Sequence, residues 1–555
     1  MKYLKIGKYE LSAAVIIAFA AGLRILLIAL NWPPTNSDEG VMGIIALHIA
    51  YKGEHPLMFY GQDYMGTIEA YIAALFFHLF GGPSLFALRL GVVLMVTGFF
   101  IVMYLLTSLL FSKKLALVTL ALLSVGSIAY LSRQTLATGG SAETLLFGSL
   151  SLLLTTWLSL TYRREAYLRM KLVRCSIYFI LGLIVGLGVW SDMVVAPLLA
   201  VAGLFLLIFC WKDLMPWGLP SVLLGILIGF LPSFMYSVQD HLSPITTLLS
   251  LFHGLDAHPP TMLLGILADA VKTIVISIPT ATGEPFCPVQ ELTFLSDNTP
   301  RTPACEAIRG VWGVGYLVLL GLALVITLIA LWRLRARFRT ETELSYIEKR
   351  GLLVRSIARL LMLGSGLIVI VAFAVSAAPV WWPAFHARYL ITLLIILPAV
   401  IEPLWNATRN VRAGDISQRI KGIVGGSALA VGALVLLVGT FMAFTEVPAA
   451  QRSTQNYVNL DHKLMSLGIK HVKSDYWSCY NITFLSDEHL ICAVISDSLI
   501  GGYNRPPHYD TIVNADHRAT YVIDLPSEMP ALMKLIHEHA GKIYRFDGYV
   551  VYIPG

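Results

Sequence analysis

The sequence predicts a polytopic α-helical membrane protein with about eleven spans and a small C-terminal α/β domain. Of its 555 residues, 57% are hydrophobic and only 13% are charged, and the mean hydropathy is +0.72. Long apolar runs recur through residues 1–444, whereas charged residues and short β-like runs become frequent from Ala449 onward. Soluble globular chains do not carry repeated apolar runs of membrane-spanning length.

Eleven apolar segments are each long enough to cross the roughly 30 Å hydrocarbon core of a membrane as a helix. They are 11–30, 84–111, 115–132, 141–160, 175–191, 193–211, 217–236, 311–332, 356–377, 388–405 and 423–444. No small-residue cleavage site follows the first segment, so we expect it to remain as a helix.

A further apolar segment, 261–278, carries Asp269 and Lys272 in its middle. If it crossed the membrane, the Arg-rich loop 333–339 would lie outside, against the usual excess of Lys and Arg in cytoplasmic loops. We therefore expect segment 261–278 to lie in the outer interface or to re-enter from it.

Basic clusters predict the orientation. With eleven helices, the clusters all fall on one side, which is then the cytoplasm; they lie at 2–8, 113–114, 163–174, 333–355 and 409–421. The sequence thus predicts a multi-pass plasma-membrane protein with a cytoplasmic N-terminus and an extracytoplasmic C-terminal domain. The +6 formal charge is spread over short loops between spans and does not indicate nucleic-acid binding.

The predicted outer face carries loop 31–83, loop 237–310 and the segment 445–555, so the chain divides into a transmembrane module, 1–444, and an outer domain. Helical patterns at about 455–467 and 527–540 separate some of the β-like runs, which predicts a small α/β domain. The β-like runs are His471–Asp475, His489–Ser496, Thr520–Leu525, Lys542–Phe546 and Tyr549–Ile553.

Two pairs of cysteines lie on the predicted outer side. Cys287 and Cys305 share loop 237–310, and Cys479 and Cys492 share the outer domain. An oxidising compartment permits a disulfide in each pair, but sequence separation does not decide whether it forms. Metal ligation is not indicated, because neither pair has C-x-x-C spacing or a neighbouring histidine cluster.

Two adjacent carboxylates, Asp38 and Glu39, follow the first helix where the chain leaves the bilayer. A carboxylate at this boundary can take a proton from a water-soluble hydroxyl while a lipid-borne group lies beside it. The alternative is a helix cap formed by Ser37 or Asp38.

The stretch from Phe59 to Glu69 combines aromatic, amide and acidic side chains. Aromatic rings stack on sugars, and amides and carboxylates bond to neighbouring hydroxyls. Tyr60, Gln62 and Glu69 are therefore candidate sugar-binding residues. The alternative is an interfacial belt, where tyrosines and tryptophans collect in membrane proteins.

Glu143 and Asp192 are predicted at the same outer boundary, at the ends of the fourth and fifth spans. Acids that enter an apolar layer are costly and usually functional. Together with Asp38 they suggest a polar cavity that opens outward. For Glu143 the alternative is stabilisation of its own helix N-terminus.

The few cations near this level are Arg89, Arg133, Lys272 and Arg388, and among them Arg133, Lys272 and Arg388 are the candidate binding residues. Arg388 belongs to an aromatic stretch that also contains His386 and Tyr389. A guanidinium beside aromatic rings suits a lipid phosphate through charge-assisted hydrogen bonds. The alternative for Arg388 is snorkelling to the interface.

Gly182, Gly186 and Gly188 lie inside one predicted span without a preceding strand. We therefore assign these glycines to helix packing and exclude nucleotide binding.

Three of these features together resemble the GT-C glycosyltransferases. They are the Asp-Glu pair after the first helix, the run Tyr60-Gly61-Gln62…Tyr64-Met65-Gly66-Thr67-Ile68-Glu69, and Gly139-Gly140-Ser141-Ala142-Glu143-Thr144 at the fourth span. The closest group looks like the bacterial and archaeal relatives of protein O-mannosyltransferases and of lipid A aminoarabinose transferases. The resemblance is strongest over 11–200 and extends through Arg388, and the tail around Tyr476 looks like that of many bacterial members.

The resemblance implies a polyprenyl-phosphate sugar as donor and an acid of the first outer loop that activates the acceptor. Asp38 is then the candidate base, and Glu39 orients either Asp38 or the acceptor. The family often has an Asp in the second outer turn, where this chain has Thr138-Gly139-Gly140. Whether Glu143 replaces that acid or only caps its helix stays open.

The implied chemistry is the attack of an acceptor hydroxyl on the anomeric carbon while the lipid phosphate leaves. It needs a base on one face and cations on the other, for which Asp38 and Arg388, with Lys272 or Arg133, are the candidates. A phosphate leaving group needs no general acid, so we expect inversion in one displacement. The acceptor is a protein, a lipid or a glycan, and a divalent metal is possible but not indicated.

Two other classes remain as alternatives. A transporter or flippase of lipid-linked sugars would show polar or broken helices near the midplane and internal pseudo-symmetry, whereas these spans are smoothly apolar with their acids at one face. A non-catalytic membrane scaffold would use its outer domain to bind a partner and would not need Asp38.

Overall fold

A computed structural model describes residues 7–162, 168–239, 263–286, 302–340, 345–376, 378–409, 415–524, 530–538, 540–546 and 548–555. The predicted fold class is confirmed in these residues, because a bundle of apolar helices carries a small C-terminal sheet. We number helices and strands in chain order.

The first part of the chain contains α1 Lys8–Ala29, α2 Ser37–Leu47, β1 Met58–Phe59, β2 Gln62–Gly66, α3 Ile68–Phe80, α4 Leu85–Leu110, α5 Lys113–Ser124, α6 Ile128–Ser132, α7 Ser141–Leu160, α8 Leu168–Ser191, α9 Ala196–Asp213 and α10 Leu219–Gln239. The second part contains α11 Leu263–Lys272, α12 Ile278–Thr282, α13 Pro303–Thr340, α14 Tyr346–Ala374, α15 Ala378–Trp381, α16 Pro383–His386, α17 Leu393–Arg409 and α18 Ile416–Ser466. The C-terminal part contains β3 His471–Ser474, α19 Tyr476–Leu485, β4 Ile491–Val494, α20 Tyr509–Ala515, β5 Thr520–Asp524, α21 Pro530–Glu538, β6 Gly541–Phe546 and β7 Tyr549–Pro554.

The membrane-spanning character is confirmed by helix length and composition. In the described part of the chain, nine helices are long and apolar enough to cross a membrane, or ten when the bent pair Pro383–Leu390 and Leu393–Arg409 forms one span. Segment Gly265–Thr282 is among the nine, so its predicted interfacial or re-entrant course stays a prediction.

One apolar run, Met193–Gln239, is 47 residues long and contains a reversal of chain direction. Gly182 of α8 lies against the Val222 carbonyl of α10, and Gly186 lies against the Ile226 carbonyl, so α8 and α10 are parallel. Arg174, near the start of α8, pairs with Asp213 at the end of α9, so α9 is antiparallel to α8. The run therefore holds two spans, as predicted for 193–211 and 217–236, and the glycines of α8 serve helix packing.

The predicted third span, 115–132, is broken in the structure. Val125 is extended between α5 and α6, and the Gly126 N–H donates to the Thr440 hydroxyl of α18 at 3.0 Å. The segment still runs along α1, because Lys113 pairs with Glu10 at its start and the Ser124 carbonyl accepts from Arg24 near its end. The packing of α18 against the sequence Ser124-Val125-Gly126-Ser127 thus replaces one continuous helix with two.

The C-terminal domain is a mixed five-stranded sheet of order β4-β3-β5-β7-β6. β3 pairs in parallel with β4 and β5, and β7 pairs antiparallel with β5 and β6. Parallel neighbours need crossover connections, which α19 and α20 supply. All five predicted strands are present, and Cys479 of α19 forms a disulfide with Cys492 of β4. Cys305 is also disulfide-bonded, while Cys287 lies outside the described residues.

The helix α19 docks along α2, which carries the acidic pair. The Ser37 hydroxyl donates to the Tyr476 carbonyl, a Cβ on Gly40 would lie 2.6 Å from the Tyr480 carbonyl, and Gly43 lies under the Phe484 ring. The two helices are therefore parallel, with their N-termini side by side. This contact brings the C-terminal domain onto loop 31–83.

Candidate active site

Asp38 lies in the first turn of α2, and its two carboxylate oxygens have different surroundings. Oδ1 accepts hydrogen bonds from the Tyr476 hydroxyl at 2.6 Å and from Arg505 Nη2 at 3.1 Å. Oδ2 has no hydrogen-bond partner in the part of the chain that the structure describes, and the side chain is 14% exposed. Asp38 therefore presents one free oxygen to the space around it.

The capping alternative for Ser37 and Asp38 is wrong, because another residue caps α2. The Asn36 side chain accepts from the Glu39 N–H at 3.0 Å, which makes Asn36 the N-cap. The Asp38 carboxylate is thus not needed to begin the helix.

Glu39 points into the protein. Its carboxylate forms a bidentate pair with Arg89 of α4 at 2.8 and 2.7 Å, and both side chains are fully buried. Glu39 Oε1 also accepts from the Ala137 N–H at 3.2 Å. Glu39 therefore ties α2 to α4 and to the turn before α7, and it has no access to an acceptor in this arrangement.

Arg505 extends from the C-terminal domain to Asp38. In the amide orientation that satisfies both groups, the Gln62 oxygen accepts from Arg505 Nη1 and Nη2 at 2.8 and 3.1 Å. The guanidinium also lies 5.3 Å from the Phe59 ring centroid and 5.1 Å from that of Tyr503. Gln62 thus reaches the site through Arg505, a residue that the sequence did not indicate.

Arg388 and Arg133 converge near Asp38. Arg388 Nη2 donates to the Tyr389 hydroxyl at 3.2 Å, and Arg133 Nη2 donates to the Phe385 carbonyl at 2.8 Å. The charges of both arginines lie close enough to that of Asp38 to interact with it. The structure therefore brings together the candidate base and two of the three candidate cations.

The other predicted acids form a buried group beside the turn before α7. Glu69 Oε2 accepts from the Gly139 N–H at 2.9 Å. Asp192 Oδ1 accepts from the Val194 N–H at 2.9 Å, and Asp192 Oδ2 lies against Gly140. Glu143 is fully buried, and neither of its carboxylate oxygens has a hydrogen-bond donor among the described residues. Glycines with positive φ at 139 and 140 leave room for this group, since a Cβ there would strike a neighbouring side chain.

Three other predicted residues contact partners other than Asp38. The Tyr60 hydroxyl bonds with His48 Nδ1 at 2.8 Å, Lys272 pairs with Asp269 at 3.6 Å, and His386 stacks on Tyr389 with ring centroids 5.7 Å apart. His386 thus supports Tyr389 beside Arg388, whereas Tyr60 and Lys272 belong to other contacts. The described residues contain no group of three or more His, Cys, Asp or Glu side chains that could hold a metal ion.

Comparison with known proteins gives one family match and several structural matches. Residues 66–236 match the family described as dolichyl-phosphate-mannose-protein mannosyltransferase. No curated protein matches the chain by sequence.

Among solved structures, ArnT from Cupriavidus metallidurans is similar along nearly the whole chain, in the apo state with a TM-score of 0.55 and bound to undecaprenyl phosphate with a TM-score of 0.54. Each ArnT match has 12% sequence identity and covers 97% of this chain and 97% of that chain. Archaeal oligosaccharyltransferase AglB from Archaeoglobus fulgidus, in complex with an inhibitory peptide and a dolichol-phosphate, matches with 13% identity and a TM-score of 0.47 over 100% of this chain and 75% of that chain. The chain therefore has the fold seen in ArnT, and its residues 66–236 match the family described as dolichyl-phosphate-mannose-protein mannosyltransferase.

Proposed function

We propose that the chain is a glycosyltransferase that moves a sugar from a polyprenyl-phosphate donor to an acceptor hydroxyl at the outer membrane face. The observation that carries this proposal is the Asp38 carboxylate, which has a free Oδ2 and whose charge interacts with those of Arg388 and Arg133. A carboxylate and two guanidinium groups supply the base and the anion stabilisation that the transfer needs.

In the proposed reaction, the acceptor hydroxyl gives its proton to Asp38 Oδ2 and its oxygen forms a bond to the anomeric carbon. The bond between that carbon and the phosphate oxygen breaks, and the electron pair leaves with the polyprenyl phosphate. One displacement inverts the configuration at the anomeric carbon. The leaving phosphate is already a weak base, so no second carboxylate is required as an acid.

Arg388 and Arg133 are the proposed phosphate-binding residues. Guanidinium groups make charge-assisted hydrogen bonds to phosphate that are about twice as strong as neutral ones. Phe385 holds both side chains in place, because the Arg388 and Arg133 guanidinium carbons lie 4.6 and 5.5 Å from its ring centroid. Lys272, the third predicted cation, is the reserve candidate.

The outer face is proposed from two observations that point the same way. The basic clusters lie between spans on the side opposite to the C-terminal domain in the eleven-helix arrangement. The Cys479–Cys492 disulfide of that domain suits an oxidising compartment. A polyprenyl-phosphate donor is supported by ArnT, which has the same fold and is seen bound to undecaprenyl phosphate.

The test is transfer by the purified full-length protein, supplied with a panel of undecaprenyl-phosphate sugars and with membrane protein, lipid and glycan acceptors. Asp38→Asn keeps the shape of the side chain but cannot accept a proton, so we expect a loss of about 10²–10⁴-fold in rate. Asp497→Asn, at an exposed position of the same protein, is the matched control and should transfer normally.

Two outcomes would contradict the proposal. If Asp38→Asn kept more than about a tenth of the wild-type rate, far above the loss expected for a general base, the base would lie elsewhere, with Glu143 the next candidate. If the wild-type protein moved lipid-linked sugars across vesicle membranes without transferring them, the transporter alternative would replace this one. Mass spectrometry of glycans in cells with and without the gene identifies the acceptor.

A further inference from the structure

We infer that the C-terminal domain completes the catalytic centre, with Arg505 and Tyr476 as positioning residues for the Asp38 carboxylate. This inference rests on the proposed role of Asp38 as the base. Both residues lie in the C-terminal domain, more than four hundred positions from Asp38 (438 for Tyr476, 467 for Arg505). Both donate to the same oxygen, Oδ1, and leave Oδ2 for the acceptor proton.

Tyr476 is placed by the start of α19. Asp475 caps this helix through the Trp477 and Ser478 N–H groups at 2.8 and 3.2 Å, and the docking of α19 on α2 sets the first turns of the two helices side by side. Burial, and then the negative charge of Asp38, raise the pKa of Tyr476. Tyr476 therefore stays protonated and acts as a donor to Asp38.

Arg505 is held on several sides, so its guanidinium has little freedom near Asp38. Its backbone N–H donates to the Tyr480 hydroxyl at 2.8 Å, and its side chain donates to Tyr476 at 2.5 Å and to Gln62. Gln62 belongs to the loop that also carries Asp38, whereas Tyr480 belongs to α19. Arg505 thus joins the loop and the domain at the carboxylate itself.

Two donors on one oxygen select one orientation of the carboxylate group. A carboxylate without them can rotate and present either oxygen, or neither, to an acceptor hydroxyl. Orientation of a base within reach of its proton contributes to the chemical step rather than to substrate binding. The expected signature is therefore a loss of kcat with little change in KM for the donor or the acceptor.

The experiment compares Arg505→Gln, Arg505→Lys and Tyr476→Phe in the full-length protein, with the undecaprenyl-phosphate sugar that the wild type uses. Hydrogen bonds to charged groups predict that kcat falls about 10- to 100-fold for Arg505→Gln and about tenfold for Tyr476→Phe, with each KM within about threefold of wild type. Arg505→Lys should recover part of the loss, since an ammonium keeps the charge but not the fork geometry. Arg545→Gln, at an exposed position of β6, is the matched control and should leave kcat and KM unchanged.

Unchanged kinetics in Arg505→Gln and Tyr476→Phe would overturn the inference, as would a rise in donor or acceptor KM at constant kcat, which would make Arg505 a substrate-binding residue. The isosteric Tyr476→Phe keeps the test informative if Arg505→Gln does not fold. Asp38→Asn in the same assay separates the two proposals. If Asp38→Asn is inactive but Arg505→Gln and Tyr476→Phe have normal kcat, only the positioning role is rejected. If Asp38→Asn is active, the proposed role of Asp38 as the base is rejected.

Discussion

Arg388 is the residue whose role is most directly measurable at the predicted phosphate site. Its guanidinium lies over the Phe385 and Tyr389 rings. Because these rings limit access of bulk water, water would not replace the contact that a bound phosphate loses when Arg388 is removed. We expect Arg388→Ala to cost about 1.5–3 kcal/mol, or one to two decades in donor affinity or rate. Arg388→Lys should recover only part of this. Binding of undecaprenyl phosphate and turnover measure both effects.

Lys272→Ala is the control for this prediction, because Lys272 pairs with Asp269 and the Val380 carbonyl instead. If Arg388→Ala left lipid-phosphate affinity and turnover unchanged, Arg388 would be an interfacial side chain without a catalytic role. A large effect of Lys272→Ala would then move the phosphate site to α11.

The buried ion pair between Glu39 and Arg89 leads to a prediction about the stability of the protein. Both side chains are fully buried, and removal of one partner leaves an uncompensated buried charge that costs about 3–5 kcal/mol. We expect Arg89→Met to lower the thermal stability and yield of the protein, and the double variant Glu39→Gln with Arg89→Met to recover much of the loss. Thermal unfolding in detergent measures this. If the loss of thermal stability in the double variant equalled the sum of the losses in the two single variants, the two residues would act independently.

At the residue scale, the sequence indicates residues that can be recognised from their own segment, and it misses residues whose role depends on a contact with a distant part of the chain. Asp38, Arg388 and Arg133 were predicted because acids and cations at a membrane boundary are costly and visible in the sequence. Arg505 was missed because Asn504-Arg505-Pro506 carries no periodicity or motif, and its contact with Asp38 depends on how the domain docks. Tyr60 was predicted to bind sugar, but its hydroxyl bonds with His48.

At the scale of helices, the close approach of α2 and α19 depends on Gly40. A Cβ there would lie 2.6 Å from the backbone carbonyl of Tyr480, whereas the nearest atoms to a Cβ at Gly43 belong to the ring of Phe484, which can rotate. We expect Gly40→Ala to loosen the domain, with faster hydrogen exchange in α19 and lower activity, and Gly43→Ala to have a smaller effect. Gly22→Ala, with no atom within 4 Å of its Cβ, is the control. Equal effects of Gly40→Ala and Gly22→Ala would show that helix propensity alone is responsible.

We expect a second contact between loop 31–83 and the domain to make the docking sensitive to acid. Burial of Glu488 opposes its ionisation, but hydrogen bonds from His48, Lys52 and Tyr509 outweigh burial and lower its pKa to about 2. His48 Nε2 and Lys52 Nζ lie 2.8 and 2.7 Å from the carboxylate. A lowered acid pKa gives stability that is present above pH about 4.3 and is lost as the pH falls toward 2.

We therefore expect Glu488→Gln to lower the melting temperature at pH 7, by an amount that corresponds to roughly 3 kcal/mol at most. The difference between wild type and variant should shrink between pH 5 and pH 2, because the wild-type carboxyl becomes protonated there. A difference that stayed constant over this range would mean that Glu488 contributes through its shape and not through its charge.

At the element scale, the strands were predictable because β3 to β7 carry alternating or β-branched runs in a charged region. The short helices α19 and α20 were not predicted, because their patterns are too brief to distinguish from loops. The break of span 115–132 was also missed, since Val125-Gly126-Ser127 reads as part of an apolar run and only the contact of Gly126 with Thr440 opens it. Tertiary contacts decided each of these differences.

At the scale of the whole molecule, the helix bundle and the C-terminal domain share one continuous element. Helix α18 runs without interruption from Ile416 to Ser466, 51 residues, and leads into β3. At 1.5 Å per residue it is roughly 76 Å long, more than twice the hydrocarbon thickness. Its N-terminal end, which carries Arg419 and Lys421, and its C-terminal end, which supports the sheet, must therefore lie on opposite sides of the membrane if it crosses once.

This geometry, together with the positive-inside bias, makes the topology testable with fusions to a reporter that is active only in the cytoplasm. A reporter fused after residue 445 should be silent, because that point of α18 lies toward the domain with Asp38, whereas a reporter fused near residue 340, at the end of α13, should be active. The reverse reporter pattern would place Asp38 in the cytoplasm and contradict the proposed site of transfer, even if Asp38→Asn were inactive.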